Sequence, residues 1–174
     1  LAVKNATDFV ALAKASPGKL TFGTSAIGSS PHLASELFQD VAKISLLHVP
    51  YSGAAPVIQA LLSESIDMYI GGSSTVMPLV RAGKLRAIGA VHTRRLSSAP
   101  DVPTMAEQGL AGVEYASWFG LLAAASTPAP ILERLNADIR TVMDAPPMRA
   151  QLDKFGIEHQ SATREQFAAV IREE

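Results

Sequence analysis

Hydrophobic positions along the chain switch repeatedly between strand-like alternation and helix-like spacing, and the switches divide it into short elements. Residues 6–15 place Phe9, Val10, Leu12 and Ala13 on one helical face and stop at Pro17-Gly18. A strand over 20–23 follows, then a helix over 31–42 with Leu33, Leu37 and Val41 on one stripe. Residues 45–49 read as a strand, Tyr51-Ser52-Gly53 as a turn, and 54–64 as a helix. Residues 66–70 form the next expected strand. A Gly/Ser turn then enters a short helix that has Pro78 in its first turn and ends at Gly83, and residues 85–91 are a further strand.

Apolar strands alternating with helices through short loops predict an α/β fold with a mostly parallel sheet flanked by helices. Residues 93–112 lose periodicity and hold Pro100, Pro103, Gly109 and Gly112, which reads as a loop with one short helix near 104–108. Residues 115–123 are apolar and predict a strand containing Trp118 and Phe119, either packed in the core or forming one wall of a cleft. From 124 onward the pattern is helical. One helix from 128 carries Ile131, Leu135, Ile139 and Val142 on one face, and a shorter one over 148–155 has Gly156 as its expected C-cap. Thr163 and Gln166 have capping-box spacing ahead of Phe167, Val170 and Ile171. The change of pattern near 124 predicts that this tail packs elsewhere than on the sheet.

Composition narrows the function. The chain has 174 residues, 48% hydrophobic and 18% charged, with a formal net charge of −1, so it offers no field for nucleic acid or an anionic membrane. No apolar run reaches the roughly 20 residues that span a bilayer, so direct membrane insertion is not expected. With no cysteine, disulfides, thiolate metal sites and thiol nucleophiles are excluded. The first residue is Leu1, without a signal peptide or initiator Met, and the chain stops inside a helical pattern at Glu173-Glu174. Both ends read as cuts.

In open α/β sheets, ligands bind beyond the carboxyl ends of strands, where loops enter helices. Three expected strand-to-helix loops share one composition: Thr24, Ser25, Gly28, Ser29 and Ser30; Tyr51-Ser52-Gly53; and Gly71-Gly72-Ser73-Ser74-Thr75. Each combines small or hydroxyl residues with the unpaired N–H groups of a helix start, where the dipole favours an anion. Ordinary capping and turn formation account for such residues one loop at a time. Three together point to a shared site, and because none contains Lys or Arg, any anion there is held by dipoles and hydrogen bonds. His32, in the first turn of its helix, either donates to a bound carboxylate or is a locally satisfied histidine. His48 lies in a strand and reads as packed or hydrogen-bonded.

Enzyme signatures are missing. Gly23-Thr24-Ser25-Ala26-Ile27 begins like a nucleophile elbow but lacks its last glycine. There is neither a dinucleotide fingerprint nor a P-loop lysine, and the four histidines have no metal-ligand spacing. Neither a catalytic residue, a metal nor a cofactor is expected. Asp67 and Asp101 read as turn aspartates, and Arg94-Arg95 as a solvated pair, the alternative being a salt link to a ligand carboxylate that no spacing supports.

The run Gly23-Thr24-Ser25, with Gly28-Ser29-Ser30-Pro31-His32-Leu33 and His48-Val49-Pro50-Tyr51-Ser52-Gly53, resembles the Bug family. These are TctC-like extracytoplasmic solute-binding proteins of tripartite tricarboxylate transporters. Arg81 to Ala87, Pro100 to Thr104, Ser117 to Leu122 and Thr127 to Pro130 extend the likeness in the family's order. The resemblance implies a periplasmic-binding-protein-like (type II) lobe, secreted to the periplasm, that binds a small carboxylate and hands it to membrane permease subunits. It implies residues 1–18 as a connecting helix, 19–123 as the ligand-binding lobe, and 124–174 as helices returning to the other lobe, whose N-terminal portion is absent. It assigns Thr24, Ser25, Gly28, Ser29, Ser30 and His32 to a first binding loop and Tyr51 and Gly53 to a second. Ser73 and Ser74 fall near a third, in which Gly71-Gly72 departs from the family's pattern. One lobe alone is expected to bind weakly and, with apolar faces exposed, to self-associate. The preferred expectation is therefore a carboxylate-binding transport component (an amino acid, or a di- or tricarboxylate). A sensing module using the same clamp, and a serine hydrolase built on Ser25 or Ser29, are the alternatives.

Overall fold

The computed structural model describes residues 1–115, 118–154, 157, 159 and 161–173. Residues Leu1–Ser117 form one compact unit and Trp118–Glu174 a second.

The first unit is built on three parallel strands, β1 (Thr21–Thr24), β2 (Leu47–Pro50) and β3 (Met68–Tyr69), in the order β2-β1-β3. Helix α1 (Ala6–Ala15) precedes them; α2 (Ser30–Ala42) joins β1 to β2, α3 (Ala54–Leu62) joins β2 to β3, and α4 (Ser73–Arg81) follows β3. Register sorts the side chains onto two faces. Phe22 is level with His48 and Met68, and Gly23 with Val49 and Tyr69.

On the Phe22 face lie Ala6, Phe9, Val10 and Ala13 of α1 and Phe38 and Ala42 of α2, with Met105 and Val113 from the following loop. Phe9, Phe22 and Phe38 are all essentially fully buried. Each such side chain contributes about 1.5–3 kcal/mol on burial, so these rings dominate this face. On the Gly23 face, Val57 and Ala60 of α3 pack with Ile66, Val49, Tyr51 and Tyr69. A side chain at Gly23 has no room: a Cβ there would collide with Ile66 and lie 2.9 Å from Val57 Cγ1. Asp67 ties the sheet together rather than capping an exposed turn. Its Oδ2 accepts from the Thr21 N–H at 2.8 Å and the Thr21 hydroxyl at 3.0 Å.

Several expectations are corrected. The buried stripe of α2 is Ala34, Ser35, Phe38 and Ala42, rotated from the Leu33-centred stripe, and Leu33 is exposed. Helix α4 starts at Ser73, so Pro78 lies inside it and not in its first turn. Residues 85–91 do not form a strand: only Ala90 bridges, to Thr104, because no continuous partner lies alongside. The aperiodic stretch does contain a short 3-10 helix, Ala106–Gln108. Arg95 is not merely solvated. Its Nε donates to both oxygens of Glu107, at 3.0 and 2.9 Å, while Thr104 and Glu107 bond reciprocally.

The second unit contains α5 (Ala129–Asp144), α6 (Pro146–Lys154) and α7 (Arg164–Glu173). Tyr115 and residues 118–123 are not in a strand, and Ala116 and Ser117 lie outside the described residues. Trp118 meets Phe167 edge to face at 5.0 Å, whereas Phe119 is 92% exposed and belongs to no core. The apolar face of α5 shows Ile131, Leu135 and Val142 to solvent. The expected capping box starts α7: the Thr163 N–H donates to Gln166 Oε1 at 2.8 Å, and the Gln166 N–H to Thr163 Oγ1 at 3.2 Å. Phe155 and the expected C-cap Gly156 lie outside the described residues.

Candidate functional site

Parallel strands deliver their following loops to one edge of the sheet. β1 and β2 end level, Thr24 opposite Pro50, and the Tyr51 N–H donates to the Thr24 carbonyl at 2.9 Å. β3 ends at Tyr69, opposite Gly23. The three hydroxyl- and glycine-rich loops therefore leave the same edge. Strand order adds a second feature. The chain passes from β1 to β2 on one side, then crosses to β3 on the other, with α2 and α3 packed on opposite faces. Such a reversal splays the loops after the central and crossing strands and opens a crevice between them.

The first loop enters α2 through Ser29, its N-cap, with Ser30 and Pro31 opening the helix. Pro31 has no N–H and the His32 N–H is held by the Ser29 carbonyl at 2.9 Å, so the Ser30 N–H is the donor left at this terminus. Ser29 does not cap with its side chain. Its hydroxyl donates to the Ala26 carbonyl at 2.7 Å. Among the described residues the Ser25 and Ser30 hydroxyls make no hydrogen bond, and both residues are half-buried. Gly28 is exposed and left-handed, with φ +76°, a conformation glycine adopts without strain.

Thr24 is fully buried, and its hydroxyl lies 2.6 Å from His48 Nε2. His48 stacks on Phe22, at 4.8 Å, and on His32, at 4.3 Å, with interplanar angles of 16° for both pairs, and Phe22 and His32 are 6.4 Å apart, so the three rings form one cluster. His32 is locally satisfied: its Nδ1 accepts the Gly28 N–H at 3.0 Å, and its Nε2 lies 3.6 Å from Glu36 Oε1. Burial pushes the His48 imidazole below its ordinary value; the His32 charge acts in the same direction and Glu36 opposes it. Glu36 and His48 were not anticipated as parts of one cluster. The four-residue spacing of His32 and Glu36 was readable, but the stack needs the β1–β2 register.

The second loop carries Tyr51 over Gly23, with Tyr51 Cε2 3.5 Å from where a Cβ would lie. Gly53 begins α3 as its N-cap at φ +148°, so that terminus has no side-chain cap. In the third loop Gly72 is the N-cap of α4 and accepts the Thr75 hydroxyl at 2.8 Å, with Ser73 and Ser74 half-buried at the helix start. Gly71 sits against the Tyr69 ring, where any side chain would collide, and burial pushes the Tyr69 phenol upward. None of α2, α3 and α4 has an acidic residue in its first turn to offset the positive end of its dipole. The edge thus presents three helix starts, the Ser25 and Ser30 hydroxyls, and loops 24–30, 51–53 and 71–75 that contain no Lys or Arg, an arrangement suited to holding a small anion. Among the described residues no group of three or more His, Asp or Glu side chains is placed to hold a metal ion.

Residues 1–174 match the family described as tripartite tricarboxylate transporter family receptor, TctC. The chain belongs to this family. A UPF0065 protein in the tcbD-tcbE intergenic region of Pseudomonas sp. (strain P51) is 36% identical over 172 residues, covering 98% of this chain and 51% of that protein. Protein BugT of Bordetella pertussis is 31% identical over 165 residues, covering 95% of this chain and 51% of its own length. The chain therefore spans about half the length of these relatives. Among solved structures, R. palustris Rpa4515 with adipate superposes at a TM-score of 0.92 with 29% identity, covering 99% of this chain and 58% of that one. MatC (Rpa3494) from Rhodopseudomonas palustris with bound malate gives 0.83 and 28%, covering 98% of this chain and 59% of that one. A periplasmic binding protein, BugD, shares the fold at a TM-score of 0.89 and 24% identity, covering 99% of this chain and 58% of that one. The family is one of transport receptors, not enzymes, and the α/β architecture with a parallel sheet is shared with these solved structures.

Proposed function

We propose that the chain is part of a periplasmic receptor that binds a small carboxylate at the sheet edge formed by the three loops and delivers it to permease subunits of a tripartite tricarboxylate transporter. The observation that carries this reading is the convergence of three helix starts, without a neutralising acid in their first turns, beside a strand-order reversal in a TctC-family chain. In this reading Ser25, Ser30 and the helix N-termini grip the charge. Thr24 and His32 act behind them, through His48 and Gly28. Residues 19–123 carry the binding loops, 1–18 lead into them, and 124–174 belong to the other lobe.

Dicarboxylates are the first ligands to test, because a protein of the same fold at 29% identity was solved with adipate and another at 28% with malate. Among the described residues no helix is long and apolar enough to cross a membrane, which is compatible with a receptor that meets its permease from outside the bilayer. Titration calorimetry on a protein of the relatives' full length that carries these residues, with adipate, malate, citrate and acidic amino acids, is expected to give saturable heat with at least one. A panel without any binding rejects the reading.

A further inference from the structure

We propose that His32 is a positioning residue for the 24–30 loop: its unprotonated Nδ1 holds the Gly28 N–H, and protonation of the ring breaks that bond. A backbone N–H can only donate, so the 3.0 Å contact requires a lone pair on Nδ1 and places the ring proton on Nε2. Nε2 faces Glu36 Oε1 at 3.6 Å, and that carboxylate favours the same tautomer. The ring is kept in place by stacking on His48, which is itself backed by Phe22 and hydrogen-bonded to Thr24. The titratable groups facing His32 are thus Glu36 from its own helix and His48 from β2.

When the imidazole gains its second proton, both nitrogens become donors. Nδ1–H then confronts the Gly28 N–H, and a ring flip restores no acceptor. Gly28, exposed and left-handed, loses its tie to α2, and the loop bearing Ser25, Ser29 and Ser30 is left closed onto the helix by the Ser29 bonds to the Ala26 carbonyl. The sign of the pH effect separates this role from direct ligand contact. A cationic His32 touching a carboxylate would tighten binding on acidification; a positioning His32 weakens it.

The loop statement stands on the geometry alone, while its effect on affinity rests on the proposed function, so the test has two arms. In the ligand-free protein, the Gly28 amide resonance is expected to shift in step with protonation of the His32 ring as the pH is lowered. His32→Asn supplies an amide oxygen near the position of Nδ1 and does not titrate, so its Gly28 amide is expected to be flat over the same pH range. His32→Phe keeps a ring for stacking but has no acceptor, and its Gly28 amide is expected at the acidic position throughout. A wild-type Gly28 amide that ignores the His32 titration overturns the proposal.

In the second arm, adipate affinity is compared above and below the pH at which the Gly28 amide shifts. Wild type is expected to lose roughly two- to tenfold on acidification, the range of one hydrogen bond, and the loss is expected to vanish in His32→Asn. Tighter binding at low pH that depends on His32 overturns the positioning role. If no carboxylate binds at either pH, the proposed function fails, and the amide titration alone still decides the inference.

Discussion

Gln108 Oε1 accepts the Ala6 N–H at 2.8 Å, joining the first helix to the short 3-10 helix 102 residues away. The same side chain donates through Nε2 to the Ile88 carbonyl at 3.1 Å and the Thr104 carbonyl at 3.2 Å. One amide thereby satisfies the start of α1 and closes the strandless region after α4. Gln108→Ala leaves a buried-residue N–H and the Ile88 carbonyl without these partners, and is expected to cost about 1–3 kcal/mol of stability. Urea unfolding followed by circular dichroism measures this; a midpoint equal to wild type would show that water replaces the amide.

Gly23 is constrained by volume, not by backbone conformation. Its missing Cβ makes room for Ile66 and Val57, the latter fully buried, so Gly23→Ala is expected to destabilise by about 1–3 kcal/mol through overpacking. Combining it with Val57→Ala should cost less than the two single losses added together, since the second change opens the space the first one needs. Strict additivity in thermal unfolding would contradict the steric account.

In the second unit, the reciprocal bonds between Thr163 and Gln166 hold the first turn of α7. Thr163→Ala removes the acceptor for the Gln166 N–H and is expected to lower the local stability of α7 by ~1 kcal/mol. Amide exchange is the suitable probe, with faster exchange expected at Gln166 and Phe167 and little change in the first unit. Uniform protection across α7 in the variant would mean the box contributes nothing.

Local signals carried much of this architecture. The stops of α1 and α4 and the start of α7 were legible because Pro17-Gly18, Gly83 and the Thr163–Gln166 spacing act within one turn, whereas Pro78 misled, and the β1 and β2 strands were legible because their apolar residues are compact. Strand existence was overestimated where a partner was needed: Ala90 meets only Thr104, and an apolar sequence over 85–91 cannot supply a neighbour. The α2 stripe was misphased because Ala34 and Ser35, which the core selects for small size, carry weaker hydrophobic signals than Leu33. The three loops were readable as a group, since composition and the rule for α/β sheets both act locally. The division of labour within them was not. That Thr24 points at His48 and His32 at Gly28 follows from register and stacking, and these link residues distant in sequence or hidden from a count of hydroxyls.

Ser30 is the side chain in the first loop best placed to show whether the edge holds an anion. It opens α2, its hydroxyl makes no hydrogen bond among the described residues, and its N–H is the donor left at that terminus. Ser30→Ala is expected to weaken carboxylate binding by about 1.5–3 kcal/mol, the range for a hydrogen bond to a charged group. Ser29→Ala should act more weakly, since that hydroxyl is already donated to the Ala26 carbonyl. Calorimetry on both variants checks the order. Equal affinities for wild type and Ser30→Ala would remove this hydroxyl from the contact set.

His48 makes folding itself pH-dependent, separately from any ligand. Its imidazole is held below its ordinary value of 6.5, first by burial and then by the His32 charge, with Glu36 opposing. In the unfolded chain it gains a proton as pH falls through that ordinary value, while in the folded state it remains neutral to lower pH. The unfolded state therefore binds more protons in this window, and stability falls on acidification. Glu107 and Asp144 do not mimic the effect. Hydrogen bonds and charge from Arg95, and from His159 and Arg149, hold these carboxyls below their usual range, so they stay ionised there. The urea midpoint of wild type is expected to drop between about pH 7.5 and 5.5 by more than that of His48→Phe, which retains a stacking ring without a titrating group. Parallel pH profiles for the two proteins would show that the stacked ring carries no protonation penalty, and that the Thr24–His48 bond persists in the charged state.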